Sequence, residues 1–446
     1  MTAPIAAVIL AAGKGTRMKS DLHKVLHPIA GRPMLLHLID SFDAVGATER
    51  VVVVGSLREQ VEAAVAPLGV RTVVQADQLG TAHAALQAKE ALADFDGVVI
   101  VCFGDAPFLT PETITRMVDR LQGPDHPRIV MLGFRPIDPG HYGRIVADSD
   151  TRILAMVEYK DATPTQRAER LCNSGVTAVR ARDLWPLLER VGNDNAAGEY
   201  YLPDIVMLAL KDMDRSVVIE APESEVLGIN SRAELAGAEL VWQRHRRAQA
   251  MADGASLIAP ETVWFAFDTK LGRDVTIEPN VVFGPGVSVA DKVIIHAFSH
   301  IEGATVASGA EVGPYARLRP GAALAEDVKV GNFVEVKNVT MARGAKANHL
   351  AYLGDGTVGA GANIGAGTIF CNYDGFTKAR TVVGRNAFIG SDTALVAPVT
   401  VGDGAYVGSG SVITEDVSPD ALALARGRQV EKPGWAARFR ELKKKP

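Results

Sequence analysis

An early loop of the sequence combines glycine with cations in a pattern that suits a polyphosphate. The segment Leu10-Ala-Ala-Gly-Lys-Gly-Thr-Arg-Met18 contains Lys14 and Arg17, and Lys24 follows it closely. Uncovered backbone N–H groups beside cations bind phosphate oxygens. The segment is not a GxGxxG dinucleotide fingerprint, because Met18 replaces the third glycine, and it is not a P-loop. A phosphate-binding loop is one interpretation, and an ordinary strand-to-helix turn with solvated charges is the other.

Asp105 is a candidate metal ligand. It follows the apolar run at residues 98–103 and the flexible Gly104. A carboxylate at the carboxyl end of a strand is well placed to hold a Mg²⁺ ion that bridges phosphates. The alternative interpretation is that Asp105 caps a helix or a turn.

His349 is the strongest general-base candidate in the second half of the chain. The unperturbed pKa of histidine lies near working pH, so a neutral imidazole can accept a proton there. The residue stands in one of two interruptions of a repeat, at residues 348–352, and the other is the insertion at 371–380. Interruptions of a regular scaffold often hold function. A lone histidine is more often structural, so both roles stay open on these residues alone.

Strands that alternate with helices must position the glycine loop and Asp105. Short apolar runs predict the strands, and Thr110 with Pro111 is typical of a helix start. The alternation predicts an α/β, Rossmann-like domain with a mostly parallel sheet, whose ligands bind beyond the carboxyl ends of the strands. The predicted strands span residues 6–10, 51–54, 70–74, 98–103 and 129–132, and the predicted helices span 34–42, 59–66, 81–92 and 111–121.

A six-residue period positions His349. Hexapeptide repeats are typical of a parallel β-helix, in which each short face contributes one inward aliphatic residue. Neither a helical nor a strand period explains these spacings. The recurring residues are Ile277, Phe283, Val289, Ile295 and Ile301, then after a one-residue slip Val306, Val312, Leu318, Leu324, Val330 and Val336, and later Val358, Ile364, Val383, Ile389, Leu395, Val401, Val407 and Ile413.

A helix is predicted between the two parts. Ser231 and Glu234 form a capping box, Gly254 fits the C′ position, and the rod between them would be about 35 Å long. The predicted organisation is a first domain over residues 1–228, a linker helix over 229–254, a β-helix over 255–430 and a basic tail over 431–446. The tail is expected to add a short helix or strand against a neighbouring subunit.

Composition excludes several classes of protein. The 446 residues have a net charge of −5, which provides no global attraction for nucleic acid or anionic lipid. Apolar runs are far shorter than the ~20 residues of a membrane helix, and no basic residue precedes the apolar start, so neither a membrane span nor a secretion signal is predicted. Three separated cysteines argue against disulfides and zinc, and suit a reducing cytoplasm.

The first half resembles the sugar-1-phosphate nucleotidyltransferases. The glycine loop opens the similarity, which extends over about 230 residues. One departure is His23, at a position where that family usually has proline. The further motifs are Lys24-Val-Leu-His27, Gly31-Arg-Pro-Met34, Gln75-Ala-Asp-Gln-Leu-Gly-Thr81, Tyr142-Gly-Arg144, Val157-Glu-Tyr-Lys-Asp-Ala162, Asn173-Ser-Gly175 and Gly198-Glu-Tyr-Tyr-Leu202.

This resemblance implies a set of site residues. Arg17 and Lys24 would be catalytic and contact phosphates, while Asp105 and Asn230 would hold Mg²⁺. Gln75 and the loop backbone would read the pyrimidine, and Gly143, Glu158 and Asn173 would hold the sugar. The implied UTP and nucleotide-sugar site comprises Leu10, Ala11, Ala12, Gly13, Lys24, Gln75, Gly80, Thr81, Phe103, Gly104, Asp105, Gly143, Glu158, Asn173 and Asn230.

The second half is similar to the glucosamine-1-phosphate N-acetyltransferases, which have a left-handed parallel β-helix and commonly form trimers. The resemblance implies that His349 deprotonates the sugar amine for attack on acetyl-coenzyme A. The implied sugar-phosphate site comprises Arg319, Lys337, Tyr352 and Asn363. The implied acetyl-coenzyme A groove comprises Ala366, Asn372, Tyr373, Ser391, Ser409 and Arg426, where Ser409 departs from an expected alanine.

Together the halves resemble bacterial bifunctional N-acetylglucosamine-1-phosphate uridylyltransferases and glucosamine-1-phosphate N-acetyltransferases. The resemblance implies a cytoplasmic homotrimer that uses UTP, glucosamine 1-phosphate, acetyl-coenzyme A and Mg²⁺. One rival is a hexose-1-phosphate adenylyl- or guanylyltransferase whose β-helix only oligomerises, and it predicts no need for His349 and Tyr352. Another is a non-enzymatic regulatory subunit, which predicts loss of Lys24 or Asp105. All four residues are present, which favours two working sites.

Overall fold

The computed structural model describes residues 3–444, which divide into two compact units between Trp242 and Gln243. The division falls within the helix Arg232–Ala252. This division coincides with none of the predicted domain limits at residues 228, 254 and 430, and those limits stay predictions. Met1 and Thr2 are part of the segment for which no secretion signal is predicted, and they lie outside the described residues. So do Lys445 and Pro446 of the predicted tail.

The first unit is built on a mixed sheet whose central part is parallel. All seven residues of the strand Ile5–Ala11 are buried, and it pairs in parallel with strands on both sides. Its strands are Ile5–Ala11, Glu49–Val54, Arg71–Val74, Val98–Phe103, Ile129–Phe134, Arg144–Ala147, Ile153–Val157, Cys172–Arg180 and Ser216–Glu220, with a separate hairpin of Pro28–Ile29 and Arg32–Pro33. The predicted α/β class and the five predicted strands are confirmed.

Two strands of this sheet, Ile153–Val157 and Cys172–Arg180, run against the others. Cys172–Arg180 lies between Val98–Phe103 and Ile129–Phe134 and is antiparallel to both. Because of its direction, its amino-terminal residues reach the edge at which the parallel strands have their carboxyl ends. The edge that binds ligands in such sheets therefore receives side chains from the start of this strand as well.

Helices cover both faces of the sheet. The predicted start at Thr110 is confirmed, since its side chain accepts a hydrogen bond from the Thr113 N–H. The helix predicted over 81–92 divides into Thr81–Leu86 and a 3₁₀ turn, Glu90–Leu92. The α-helices are Met34–Ala44, Arg58–Val65, Thr81–Leu86, Pro111–Leu121, Pro164–Arg167, Ala181–Leu188, Asp204–Lys211, Glu223–Val226 and Arg232–Ala252, and further 3₁₀ turns are Thr16–Met18, Lys24–Leu26 and Ala66–Leu68.

The second unit is a parallel β-helix. Each short strand pairs in parallel with the strand one coil further on, as Thr276 pairs with Ile294 and Glu311 with Lys329. The residues of the six-residue period point inward and are buried. The strands are Ser256–Leu257, Lys270–Leu271, Thr276–Ile277, Val282–Phe283, Ser288–Val289, Ile294–Ile295, His300–Ile301, Thr305–Val306, Glu311–Val312, Arg317–Leu318, Ala323–Leu324, Lys329–Asn332, Glu335–Met341, Lys346–His349, Tyr352–Val358, Asn363–Ile364, Ile369–Cys371, Thr381–Val383, Phe388–Ile389, Ala394–Val396, Val399–Val401, Tyr406–Val407, Val412–Ile413 and Leu422–Ala423; the helical pieces are Pro260–Thr262 and Trp435–Lys443.

Gln243 fixes the first coil of the second unit. Its side chain is buried; its amide nitrogen donates to the Phe265 carbonyl oxygen at 2.7 Å and its amide oxygen accepts from the Phe265 N–H at 2.9 Å. Arg247, one helical turn further, donates to the Val263 carbonyl oxygen at 2.9 Å. The end of the helix Arg232–Ala252 thus satisfies backbone groups that would otherwise be buried without partners.

We expect Gln243→Ala to destabilise the first coil by about 2 kcal/mol, because it removes the partners of two buried backbone groups. Hydrogen-exchange mass spectrometry of a peptide spanning residues 259–271 would measure the loss of protection. Gln249→Ala is the matched control, since that glutamine contacts Asp253 on the exposed face of the same helix. Equal protection in the two variants would contradict the assigned role.

Candidate active sites

Two adjoining cavities lie at the carboxyl ends of the parallel strands in the first unit. Their volumes are about 300 and 360 Å³. Thr81, Phe103, Asp105 and Glu199 line both cavities, so the two meet at these residues. A space of this form can hold a ligand with two chemically different halves joined near Asp105.

The first cavity contains the predicted nucleotide-binding residues. The loop after the first strand forms one wall, and the buried side chain of Gln75 forms part of another. The residues predicted from the sequence that line it are Leu10, Ala11, Ala12, Gly13, Lys24, Gln75, Gly80, Thr81, Phe103 and Asp105. The fold therefore brings together segments that are separated by up to ninety-five positions in the sequence (Leu10 and Asp105).

Lys24 connects the two predicted metal ligands. Its ammonium group forms an ion pair with Asp105 and donates to Asn230 Oδ1 at 3.0 Å. Both charged side chains are mostly buried, with 16% and 17% of their surface exposed. A carboxylate and an amide oxygen thus converge on one cation, and such hard oxygen donors are those that Mg²⁺ prefers. Among residues 3–444 no group of three or more His, Cys, Asp or Glu side chains could hold a metal ion.

His23 orders the turn that presents Lys24. Its φ of −56° is one that proline also adopts, so the departure from proline keeps the same backbone course. The buried ring adds a cap, because Nδ1 accepts from the Val25 N–H at 3.4 Å, and the His23 N–H donates to Gln60 Oε1 at 2.8 Å. Burial and the charge of Lys24 lower the pKa of His23, which favours the neutral ring required for this cap.

The second cavity contains the predicted sugar-binding residues Gly143, Glu158 and Asn173. Asn173 comes from the start of the antiparallel strand, and its N–H donates to the Gly143 carbonyl oxygen at 2.9 Å. Burial, with Asp204 and Asp161 nearby, raises the pKa of Glu158 above its usual value. A carboxylate in this setting gains from neutral hydroxyl donors, since each donated hydrogen bond compensates its lost hydration.

Some predicted residues lie outside the cavity walls, and some wall residues were not predicted. Arg17 is exposed and makes no hydrogen bond or ion pair with any of residues 3–444, and Gly104 donates its N–H to the Leu10 carbonyl oxygen at 3.0 Å. Glu199, which lines both cavities, was not predicted, although it stands within the recognised Gly198-Glu-Tyr-Tyr-Leu202 motif. Gln78 was missed as well; it donates to the Ala12 carbonyl oxygen at 2.8 Å.

In the second unit, His349 ends a short strand and faces Asn332. The two residues are paired in register on neighbouring coils, and His349 Nδ1 lies 2.8 Å from Asn332 Oδ1. Glu335, the carboxylate that precedes His349 by 14 residues, accepts from Arg319 at 2.7 Å. Asn332 was missed because it lies a full coil away in the sequence, whereas the β-helix places it beside the histidine.

Other predicted residues of this unit converge near Gly354. Gly354 pairs in register with Lys337. A Cβ atom added to Gly354 would lie only 2.6 Å from the Tyr352 hydroxyl and 2.8 Å from the Asn372 amide nitrogen, so both side chains pack against this glycine. Asp355 receives hydrogen bonds from Asn338 and Asn372; burial alone would raise its pKa, but these bonds lower it.

The predicted coenzyme groove follows one corner of the β-helix. The N–H of Asp392, which follows Ser391, donates to the Ala366 carbonyl oxygen. The N–H of Gly410, which follows Ser409, donates to the Ser391 carbonyl oxygen. Arg426 donates to the Ser409 carbonyl oxygen at 2.8 Å, so the serine side chain at that position is not needed for the contact. Asn363 lies on the same sheet as His349, where it pairs with Lys346. The Tyr373 hydroxyl donates to the Gly375 carbonyl oxygen.

Comparison with known families agrees with this division. Residues 7–191 match the MobA-like NTP transferase domain, and residues 268–303 and 380–415 match the bacterial transferase hexapeptide family. The predicted fold class, a Rossmann-like nucleotidyltransferase domain followed by a left-handed parallel β-helix, is confirmed. Among residues 3–444, no helix is long and apolar enough to cross a lipid bilayer.

Full-length relatives share both units. A protein named Bifunctional protein GlmU from Rhizorhabdus wittichii is 68% identical over 441 residues, covering 99% of this chain and 98% of the relative. Proteins of the same name from Sphingopyxis alaskensis and Zymomonas mobilis are 60% and 58% identical, covering 100% and 99% of this chain and 98% and 99% of the relatives. The predicted enzyme class, a bifunctional nucleotidyltransferase and acyltransferase, is confirmed. With two cavities beside Asp105 and a β-helix that presents His349, the chain belongs to the GlmU family of bifunctional proteins.

Proposed function

We propose that the first unit transfers a uridylyl group from UTP to N-acetylglucosamine 1-phosphate, and that the second unit makes this sugar phosphate from glucosamine 1-phosphate and acetyl-coenzyme A. The observation that supports the first activity best is the Lys24–Asp105–Asn230 cluster at the point where two cavities meet. A nucleotide in one cavity and a sugar in the other would place their phosphates at this cluster.

Uridylyl transfer needs positioning and charge neutralisation more than covalent help from the protein. A phosphate oxygen of the sugar attacks the α-phosphorus of UTP in line, a new P–O bond forms, and the bond to the β-phosphate breaks to release pyrophosphate. Lys24 neutralises charge at the reacting phosphates, and the exposed Arg17 contacts the departing pyrophosphate. Gly143, Glu158 and Asn173 hold the sugar so that its phosphate faces the nucleotide.

Asp105 and Asn230 would hold Mg²⁺, which supplies positive charge to the phosphates when it is bound. Their oxygens already converge on the ammonium group of Lys24, so the donor set fits a hard cation. Residues Leu10 to Gly13, at the end of the first strand and in the loop after it, contribute backbone groups beside this position. Gly80, Thr81 and Phe103 complete the nucleotide wall.

The His349–Asn332 contact supports acetyl transfer. Asn332 Oδ1 accepts the Nδ1 proton of a neutral His349, which leaves the Nε2 lone pair available as a base. Nε2 removes a proton from the ammonium group of glucosamine 1-phosphate. The free amine then attacks the thioester carbonyl carbon of acetyl-coenzyme A, an amide bond forms, and the coenzyme leaves as its thiol.

The remaining predicted residues bind the two substrates of this step. Arg319 and Lys337 suit the sugar phosphate because they are cations one coil apart, while Tyr352 and Asn363 offer hydroxyl and amide groups to the sugar. The coenzyme groove would comprise Ala366, Asn372, Tyr373, Ser391, Ser409 and Arg426. Three free cysteines are compatible with the cytoplasm, where we place the reaction.

We further propose a homotrimer, supported by an exposed apolar ladder beside His349. The ladder consists of Phe298, Tyr315, Phe333 and Leu350, one per coil, and 48% to 60% of each residue is exposed. All four adopt a left-handed backbone with φ between 50° and 61°, which is costly for bulky side chains. Phe333 follows Asn332 and Leu350 follows His349, so a second copy on the ladder would also enclose the base. The number three comes from the family resemblance.

We expect Asp105→Ala to reduce UDP-N-acetylglucosamine synthesis at least about 100-fold, because one charged Mg²⁺ ligand and the partner of Lys24 are lost together. Synthesis from UTP and N-acetylglucosamine 1-phosphate would be measured at low millimolar Mg²⁺. Acetyl transfer by the same protein is the internal control, and Asp119→Ala on an exposed helix face is the matched substitution. Near-parental synthesis by Asp105→Ala would contradict the assignment.

We expect His349→Ala to lower kcat for acetyl transfer ~10²- to 10⁴-fold, the usual contribution of a positioned base, with little change in KM for acetyl-coenzyme A. The variant should recover in part at high pH, where more of the free substrate amine is neutral. Asn332→Ala should cause a smaller loss, of about tenfold, through its effect on the ring. His300 is an exposed histidine elsewhere on the β-helix, and His300→Ala is the control. Acetyl transfer by His349→Ala at the parental rate would contradict the assignment of His349 as the general base.

We expect the double substitution Tyr315→Ser and Phe333→Ser to dissociate the trimer and to abolish acetyl transfer, while uridylyl transfer persists. Analytical ultracentrifugation would report the assembly and separate assays the two activities. Met213→Ser removes an apolar residue that is 90% exposed in the first unit and should change neither property. A dissociated variant with full acetyl transfer would show that the ladder does not complete the site.

A further inference from the structure

The amide group of Gln75 is held from two sides by acceptors. Its Nε2 atom lies 3.1 Å from the Gly80 carbonyl oxygen and 3.0 Å from Nδ1 of His83. The main chain of Gln75 is also fixed, since its N–H donates at 2.8 Å to the carbonyl oxygen of Val54, at the end of the neighbouring strand Glu49–Val54. A residue that lines the nucleotide cavity therefore has little freedom to rotate.

The Gly80 carbonyl is a rigid acceptor. Gly80 has φ +126°, and a Cβ atom there would lie only 2.5 Å from the Tyr200 carbonyl oxygen, so the backbone packs directly on Tyr200. The next turn is tied to the same residue, because the Ala82 N–H donates to the Tyr200 carbonyl oxygen at 2.9 Å. A carbonyl oxygen only accepts hydrogen bonds, so the NH₂ side of the Gln75 amide must face it.

His83 completes this arrangement as a second acceptor. A neutral imidazole has one lone pair for hydrogen bonding, and two glutamine amide nitrogens compete for it. The contact with Gln75 at Nδ1, 3.0 Å, is shorter than the contact with Gln87 at Nε2, 3.3 Å, which favours the tautomer with the lone pair on Nδ1. Gln87 is anchored separately, since it donates to the His83 carbonyl oxygen at 3.0 Å.

With its NH₂ group engaged twice, Gln75 has only Oε1 to offer to a ligand. This oxygen makes no hydrogen bond with any of residues 3–444, and it belongs to a side chain that lines the first cavity. An acceptor in that position matches the N3–H of uracil, which is a donor. Cytosine has an unprotonated N3 at the same place, which is an acceptor. A lone pair of Gln75 Oε1 would then face the lone pair of cytosine N3 with no proton between them.

We infer that His83 is a positioning residue that sets the polarity of the Gln75 amide and thereby makes the site select UTP over CTP. The inference rests on the proposed uridylyl transfer and adds to it the residue that determines the base. His83 acts through Gln75 and need not touch the nucleotide. Without the Nδ1 acceptor, the contact with the Gly80 carbonyl oxygen alone holds the NH₂ group, so the amide turns toward the cavity more often than in the parental protein. This weakens the binding of UTP and relieves part of the repulsion of CTP.

The test compares UTP and CTP in one series of variants of the full-length protein. His83→Leu should lower the ratio of kcat/KM for UTP to that for CTP by about three- to tenfold, the range that one hydrogen bond accounts for. His83→Asn places an amide oxygen near the former Nδ1 position and should restore the ratio to within about twofold of the parental value. Gln87→Met, which removes the contact on the opposite edge of the ring, is the matched control and should preserve the ratio.

A purely structural role for His83 predicts a different pattern. It would lower kcat/KM for both nucleotides alike and leave their ratio unchanged, and that result would overturn the inference. Calorimetric titration with UTP and CTP gives the same comparison without catalysis. Should His83→Leu fail to fold, His83→Gln replaces it, since its longer side chain places the amide near the Nε2 position and should lose selectivity where His83→Asn keeps it.

The parental enzyme separates this inference from the function on which it rests. If the parental protein does not use UTP in preference to CTP, the proposed uridylyl transfer is wrong. If the parental protein is selective and His83→Leu is equally selective, only the role of His83 is wrong. Acetyl transfer, measured on each variant, shows whether the rest of the protein is intact.

Discussion

Parallel strand pairing places the chemistry in both units. In the first unit the strand Ile5–Ala11 has parallel neighbours on both sides, so three strand ends meet at one edge, followed by the glycine loop and by Asp105. In the second unit the same kind of pairing repeats once per coil and stacks equivalent positions in columns, as it does for Asn332 and His349. Parallel order therefore concentrates the functional side chains at an edge in one case and at a corner in the other.

The two sites treat their charges differently. Lys24 and Asp105 are mostly buried, and each compensates part of the hydration that the other has lost. Such a pair keeps two opposite charges organised before any substrate arrives, which is what electrostatic stabilisation of a phosphoryl transfer requires. His349 is exposed and relies on one amide partner, so its surroundings in the single chain do little to exclude water.

Local patterns predicted most of the fold because they depend on a few neighbouring residues. The Thr110 cap, the helix Pro111–Leu121 and the inward aliphatic residues follow from rules that operate within one turn or one coil. The antiparallel strand Cys172–Arg180 was not predicted, since direction within a sheet is decided by tertiary pairing and leaves no periodic trace. The contacts of His349 with Asn332 and of Gln75 with His83 were missed for the same reason, since both depend on tertiary structure. The first can be predicted only if the number of residues per coil is known, and the second only if the position of the loop relative to the next helix is known.

Backbone strain distinguishes the corner beside His349 from the other corners of the β-helix. Most left-handed positions in this domain are Gly, Asn or Asp, which tolerate that conformation, whereas the ladder from Phe298 to Leu350 places bulky apolar residues there, each at a cost of roughly 1–3 kcal/mol. Stacking of Tyr315 between Phe298 and Phe333, with ring centroids 4.9 and 5.2 Å apart, returns part of this cost within one chain. The remaining cost is offset when the exposed half of each of the four side chains is removed from water. An assembly that covers the ladder would stabilise these strained corners and enclose His349 in one event, whereas the buried charges of the first unit are organised within a single chain.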